Sequence, residues 1–223
     1  MSKPYNRADV IAPGVSRRLK LGFRSAVKPV MSRLRLYLAG PEVFRHDAAE
    51  EGRRLVALCR AAGGEGLYPL DTRGEDIRRS CIAMIDEADA IVANISPFRG
   101  HHMDPGTAFE IGYAEARGTP VFLWSNDARV LIKRIRVGSD GRDGEGMLVE
   151  DLDKPENLMI VPDGATVWPS PERAIAEAMA RLGHVRKNRL LQRSTRRAVL
   201  LAALISLLVA LGAGALVDRL VGW

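Results

Sequence analysis

The run DAIVANI, Asp89 to Ile95, is almost continuously apolar and is bounded by Asp89 on one side and Ser96-Pro97 on the other. Side chains alternate across a strand, so such a run is stable only where both faces are covered, as in a parallel sheet packed between helices. Parallel neighbours also need crossover connections. The flanking sequence supplies them. RLYLAGPEVF is a short strand ending at a Gly-Pro turn, residues 46–62 form an amphipathic helix, and LYPL is a short second strand. GEDIRRSCIAMIDEA places Ile77, Cys81, Met84 and Ile85 at helical spacing before the apolar run. After it, DPGTAFEIGYAEARGTPV begins with a capping Asp104 and with Pro105 at the first helical position, and ends at Gly118 and Pro120. PVFLW and residues 165–168 add two strands, and Ser170-Pro171 opens a last helix, SPERAIAEAMARL. This order predicts an α/β domain over 34–183, a doubly wound, Rossmann/flavodoxin-like five-stranded parallel sheet.

Charge divides the chain into three parts. The net charge of +6 hides a middle, 34–171, with 16 basic against 23 acidic residues, flanked by basic ends. A nucleic-acid polymer is therefore not the expected partner of the domain, which has no basic stripe with interleaved aromatics. Residues 1–33, with Pro4, Pro13, Gly14, Gly22 and Pro29 and no apolar period, are expected to be a disordered basic arm. Two cysteines, Cys59 and Cys81, do not make a disulfide framework. Residues 184–197 carry Arg186, Lys187, Arg189, Arg193, Arg196 and Arg197, followed by the uncharged segment 198–217. That pattern predicts a basic juxtamembrane linker and a transmembrane helix, with the domain in the cytoplasm by the positive-inside bias.

In an open α/β sheet, ligands bind beyond the carboxyl ends of the strands. This puts Gly40 to Phe44, Asp71, Ser96 to Asp104 and Ser125 to Asp127 on one rim, beneath a long Gly-, Asp- and Arg-rich loop over 125–156. Tyr37, Asp71, Asp89, Asp104 and Glu110 are the polar groups this layout favours for chemistry. Glu110 has the fewest ordinary explanations. Its helical neighbours three and four positions away are Gly106, Thr107, Tyr113 and Ala114, none of them basic. A carboxylate without an ion pair, facing a concave rim, is a candidate nucleophile or base.

YLAGPEVF, YPLD, DEADAIVANISPF and DPGTAFEIGYAEARGTPV, in this order, resemble the nucleoside 2-deoxyribosyltransferase family, which includes related nucleoside and nucleotide N-glycosidases. The resemblance covers roughly Leu34 to Trp168, and Asp-x5-Glu-x-Gly-Tyr-Ala is its most discriminating part. It implies transfer of 2-deoxyribose between nucleobases through a covalent intermediate on a carboxylate, with no cofactor and no metal. It also implies roles for matching residues: Glu110 as nucleophile, Tyr37 as the hydroxyl that holds it, Asp104 on the sugar 5'-hydroxyl and Phe44 lining the base pocket. Asn157 in ENLM resembles the asparagine that completes a neighbouring subunit's site, which implies a homo-oligomer. Gly40 and Asp71 enter as further substrate-binding candidates at the rim.

Two departures bear on the substrate. Cys81 stands where many transferases of the family have an aspartate that shuttles a proton to the base, and a neutral thiol is a poor substitute. Asp104 stands where nucleotide-hydrolysing relatives tend to have serine, and its charge disfavours a 5'-phosphate. Three other readings compete. HHMD, His101 to Asp104, matches no strong metal-ligand spacing. GPEVF lacks the G-x-G-x-x-G fingerprint of dinucleotide enzymes. A membrane-tethered, non-catalytic sensor of a nucleoside or nucleotide derivative would account for the C-terminal helix, but it has no need of a nucleophile.

Overall fold

The protein is described by a computed structural model that covers residues 33–71, 76–127 and 129–222, with side chains left undescribed at 71 and over 207–221. The strands are β1 (Arg35–Ala39), β2 (Glu65–Leu67), β3 (Ala90–Asn94), β4 (Val121–Trp124) and β5 (Val167–Trp168). The helices are α1 (Ala48–Ala61), α2 (Ile77–Glu87), α3 (Pro105–Ala116) and α4 (Pro171–Val221). The sheet order is β2-β1-β3-β4-β5 and every pairing is parallel. The chain reverses its direction of travel across the sheet between β1 and β3, and a crevice opens at such a switch point.

All five residues of β3 are buried, as its sequence requires of a central strand. Its two faces feed two cores. Ala90 and Val92 join Leu36, Leu38, Phe122 and Trp124 under α1 and α4, while Ile91 and Ala93 join Tyr37, Ala39 and Leu123 under α2 and α3. Each large aliphatic side chain buried in this way stabilises the fold by about 2 kcal/mol. α4 contributes Ala174, Ile175 and Ala178, one buried stripe at helical spacing.

The second strand lies earlier than LYPL. It runs Glu65–Leu67, and Pro69–Asp71 forms a 3-10 turn, because Pro69 has no N–H to give to a sheet ladder. Asp89 also differs from its expected place. It accepts a hydrogen bond from Arg35 N at 2.8 Å just before β3 begins, at the end of the sheet remote from the carboxyl rim.

The C-terminal expectation needs correction. No linker separates the domain from a second helix, since α4 runs unbroken from Pro171 to Val221. Among the described residues no helix is long and apolar enough to cross a membrane. The uncharged segment 198–217 lies within α4, with side chains described only as far as residue 206. The membrane anchor is therefore not supported. The cytoplasmic orientation inferred from it loses its basis as well. The basic arm falls almost wholly on residues 1–32, outside the described residues.

Candidate active site

β1 points Tyr37 into the core beneath α2 and α3, where the side chain is completely buried. A buried phenol needs a partner, and α3 supplies one: Tyr37 Oη donates to Glu110 Oε1 at 2.5 Å. α3 is fixed at its start by Asp104, whose Oδ2 accepts from Thr107 N at 2.8 Å and Thr107 Oγ1 at 3.0 Å. It stops at Gly118, whose φ of 70° suits the left-handed turn that ends a helix. The start, the stop and the buried Ile111 and Ala114 set the rotation of α3, and that rotation aims Glu110 at Tyr37.

The electrostatics follow from this packing. Burial pushes the Glu110 carboxyl up to about 7; the Tyr37 hydrogen bond opposes that rise, and the Asp104 charge adds to it. No ion pair engages Glu110 among the described residues. Tyr37 is pushed far above the ordinary phenol range, first by burial and then by Glu110, so it remains a donor. Cys81, half-buried on α2, adjoins this pair closely enough to act on Tyr37 electrostatically, and burial pushes its thiol up. One carboxylate thus sits beside two neutral hydrogen-bonding groups and near a second acid. A desolvated carboxylate of this kind, without a counter-cation, is equipped to meet an electron-poor carbon or to take a proton.

Asp104 is 6% exposed, and among the described residues no hydrogen bond is made to its Oδ1, which leaves one oxygen for a ligand.

Phe44 and Gly40 belong to the same rim but face differently. Phe44 ends the turn Pro41–Phe44, stacks on Phe98 with ring centroids 5.3 Å apart, and lies under the Arg99 guanidinium. It lines a cleft of about 280 Å³ with Glu42, Asn94, Ser96, Phe98 and Trp124. Neither Tyr37 nor Glu110 lines that cleft. Gly40 is needed for close approach, because a Cβ there would sit 2.0 Å from Glu42 Oε2 and 2.9 Å from Asn94 Cβ.

Asn157 is not brought to Glu110 within the chain. Its Nδ2 donates to Glu150 Oε1 at 2.5 Å and its Oδ1 accepts from Met159 N at 2.9 Å. Asp71 ends the turn Pro69–Asp71, and its side chain is outside the described residues.

Sequence reasoning missed a buried chain of polar groups that ties the strand ends together. Asn94 Nδ2 donates to Glu42 Oε1 at 2.5 Å, Ser96 N and Oγ donate to Asn94 Oδ1, and Asn126 N donates to Ser96 Oγ. Its one local signal was an asparagine inside an otherwise apolar strand. Glu156, 2% exposed, was missed as well; it accepts from Met103 N at 2.8 Å and lies 2.7 Å from His102 Nδ1.

Residues 36–159 match the model of the family described as nucleoside 2-deoxyribosyltransferase, which is more than half of the chain. The chain belongs to the nucleoside 2-deoxyribosyltransferase family. It is similar to the solved structure of the 2-desoxiribosyltransferase from Leishmania mexicana, at 36% identity and a TM-score of 0.60 over 66% of this chain and 97% of that one. It is also 34% identical over 115 residues to an uncharacterised protein of Schizosaccharomyces pombe, a match covering 45% of this chain and 54% of that protein. The chain thus matches about half the length of that curated relative. Family membership makes a glycosyl-transferring enzyme acting on nucleosides and nucleobases the general expectation for the domain.

Proposed function

We propose that this family member transfers 2-deoxyribose from one nucleobase to another, with Glu110 as the nucleophile. The observation that carries the reading is the 2.5 Å hydrogen bond from buried Tyr37 to a carboxylate that has no counter-cation among the described residues. In the first step a Glu110 oxygen bonds to the anomeric carbon, the carbon–nitrogen bond breaks, and the base leaves with the bonding pair and acquires a proton. In the second, a nitrogen of an incoming base bonds to the same carbon, the ester bond to Glu110 breaks, and the incoming base gives up its proton. Both steps pass through an oxocarbenium-like transition state stabilised by the adjacent negative charge, and two inversions give retention. Tyr37 holds the carboxylate oxygen in line and lowers its basicity, so the ester forms and also breaks.

Asp104 accepts the sugar 5'-hydroxyl through its free Oδ1. Its charge selects an unphosphorylated nucleoside. Phe44, with Gly40 and Asp71 at the same rim, serves the base. Asn157 completes the site of a second copy in a homo-oligomer. Met159 and Leu158, exposed beside it, are apolar groups suited to such an interface.

Cys81 favours a second reading, hydrolysis. Its neutral thiol lies at Tyr37 and offers the departing base no acidic carboxyl, so water is the competing acceptor. Incubating the full chain with a 2'-deoxynucleoside and a different free base decides between the two. A new nucleoside is the expected product. Free base and deoxyribose alone would establish hydrolysis instead, and no turnover of any deoxynucleoside would sink both.

A further inference from the structure

We propose that Glu156 is a positioning residue whose one buried carboxylate locks the Asp104 end of α3 to the turn that presents Asn157. The inference rests on the roles given above to Asp104 and Asn157, while the contacts behind it are independent of those roles.

The two oxygens of Glu156 face two segments of the chain. Oε2 accepts from Met103 N at 2.8 Å, and Met103 immediately precedes the Asp104 cap. Oε1 accepts from Asn157 N at 3.0 Å and lies 2.7 Å from His102 Nδ1. Asn157 in turn begins a tight turn, in which its carbonyl accepts from Ile160 N and Val161 N. On the other side, His102 is anchored through its carbonyl, which accepts from Phe98 N at 2.7 Å.

Burying a carboxylate is costly unless it is hydrogen-bonded, and the three contacts of this 2% exposed glutamate offset that cost. Only a carboxylate suits the place. A glutamine would turn an amide N–H toward either the Met103 or the Asn157 N–H, and one donor would lose its acceptor. The segment carrying Glu156 is itself braced: Leu131 N donates to Lys154 O at 2.8 Å, and Lys154 Nζ donates to Val161 O at 2.7 Å. Glu156 therefore ties the braced turn at Asn157 to the start of α3 at Asp104, about one and a half turns before Glu110.

The test uses the full chain with Glu156→Gln and, should that variant not fold, Glu156→Asp, which withdraws the carboxylate by one methylene. Amide hydrogen exchange is followed at Met103, Asn157 and the β3 amides, together with kcat and KM for a 2'-deoxynucleoside. The expected result for Glu156→Gln is exchange at least about tenfold faster at Met103 or Asn157, whichever donor faces the amide nitrogen, with β3 unchanged, KM raised about tenfold, and kcat changed far less. Unchanged protection at both Met103 and Asn157 would overturn the proposal, and so would lost protection with an unchanged KM, which marks a purely structural contact. Were the parent chain inactive, the transferase reading would fail by itself, and deoxynucleoside affinity by titration would replace KM in the same comparison.

Discussion

Two substitutions on either side of Glu110 are expected to move its titration in opposite directions. The Tyr37 hydrogen bond lowers the Glu110 pKa, the Asp104 charge raises it, and burial leaves the carboxyl at about 7. A nucleophilic carboxylate must be ionised, so kcat/KM of the parent chain should rise with pH to a plateau, with an acid limb near 7. Tyr37→Phe removes a hydrogen bond to a charged group, about 1.5–3 kcal/mol, and at about 1.4 kcal/mol per pH unit the limb should move up by about 1–2 units. Asp104→Asn removes a like charge and should move it down by less, because the Tyr37 contribution is the larger. The assay is the initial rate of base exchange from about pH 5 to about pH 10, read as kcat/KM so that the free enzyme is reported. Shifts of the same sign in both variants would refute the reasoning. A parent limb in the ordinary carboxylate range would do so too.

Glu110→Gln should abolish turnover yet stabilise the fold at alkaline pH. The folded state keeps the Glu110 proton up to about 7 whereas the unfolded carboxyl releases it near 4.5, so stability falls as pH rises through that window. The gain from the neutral amide at pH 8 should be about 2 kcal/mol once partial solvent screening is allowed for, with little gain at pH 4, measurable by denaturant titration at the two pH values. Gly40→Ala, which drives a methyl into Glu42 and Asn94, should lower stability by about 1–3 kcal/mol in thermal unfolding and reduce kcat/KM through a displaced rim.

The fold was legible because its signals are local. β3 declares itself by an apolar run, and α3 by its cap, its first-turn proline and its terminal glycine. Glu110 stood out for a related reason, since the absence of a basic residue one turn away can be counted in the sequence. What was missed depends on partners far apart in the chain. Glu42 and Asn94 are separated by 52 positions, and Glu156 and Met103 by 53, and no spacing rule links such pairs. Asp89 was misplaced for a simpler reason: it immediately precedes β3, and a sheet of this kind binds ligands at the opposite ends of its strands. LYPL misled because aromatic and aliphatic residues suggest a strand while Pro69 forbids the ladder. At the C-terminus, an uncharged run was read as a membrane span, whereas α4 is continuous with the domain and no described helix meets the requirement.

The most direct test of the central claim is the intact mass of the full chain after brief exposure to a 2'-deoxynucleoside without an acceptor base, quenched in acid. The account predicts a species heavier by one deoxyribosyl group, discharged when a free base is added and absent from Glu110→Ala. An adduct that persists in Glu110→Ala, or rapid turnover with no adduct at any time, would contradict it.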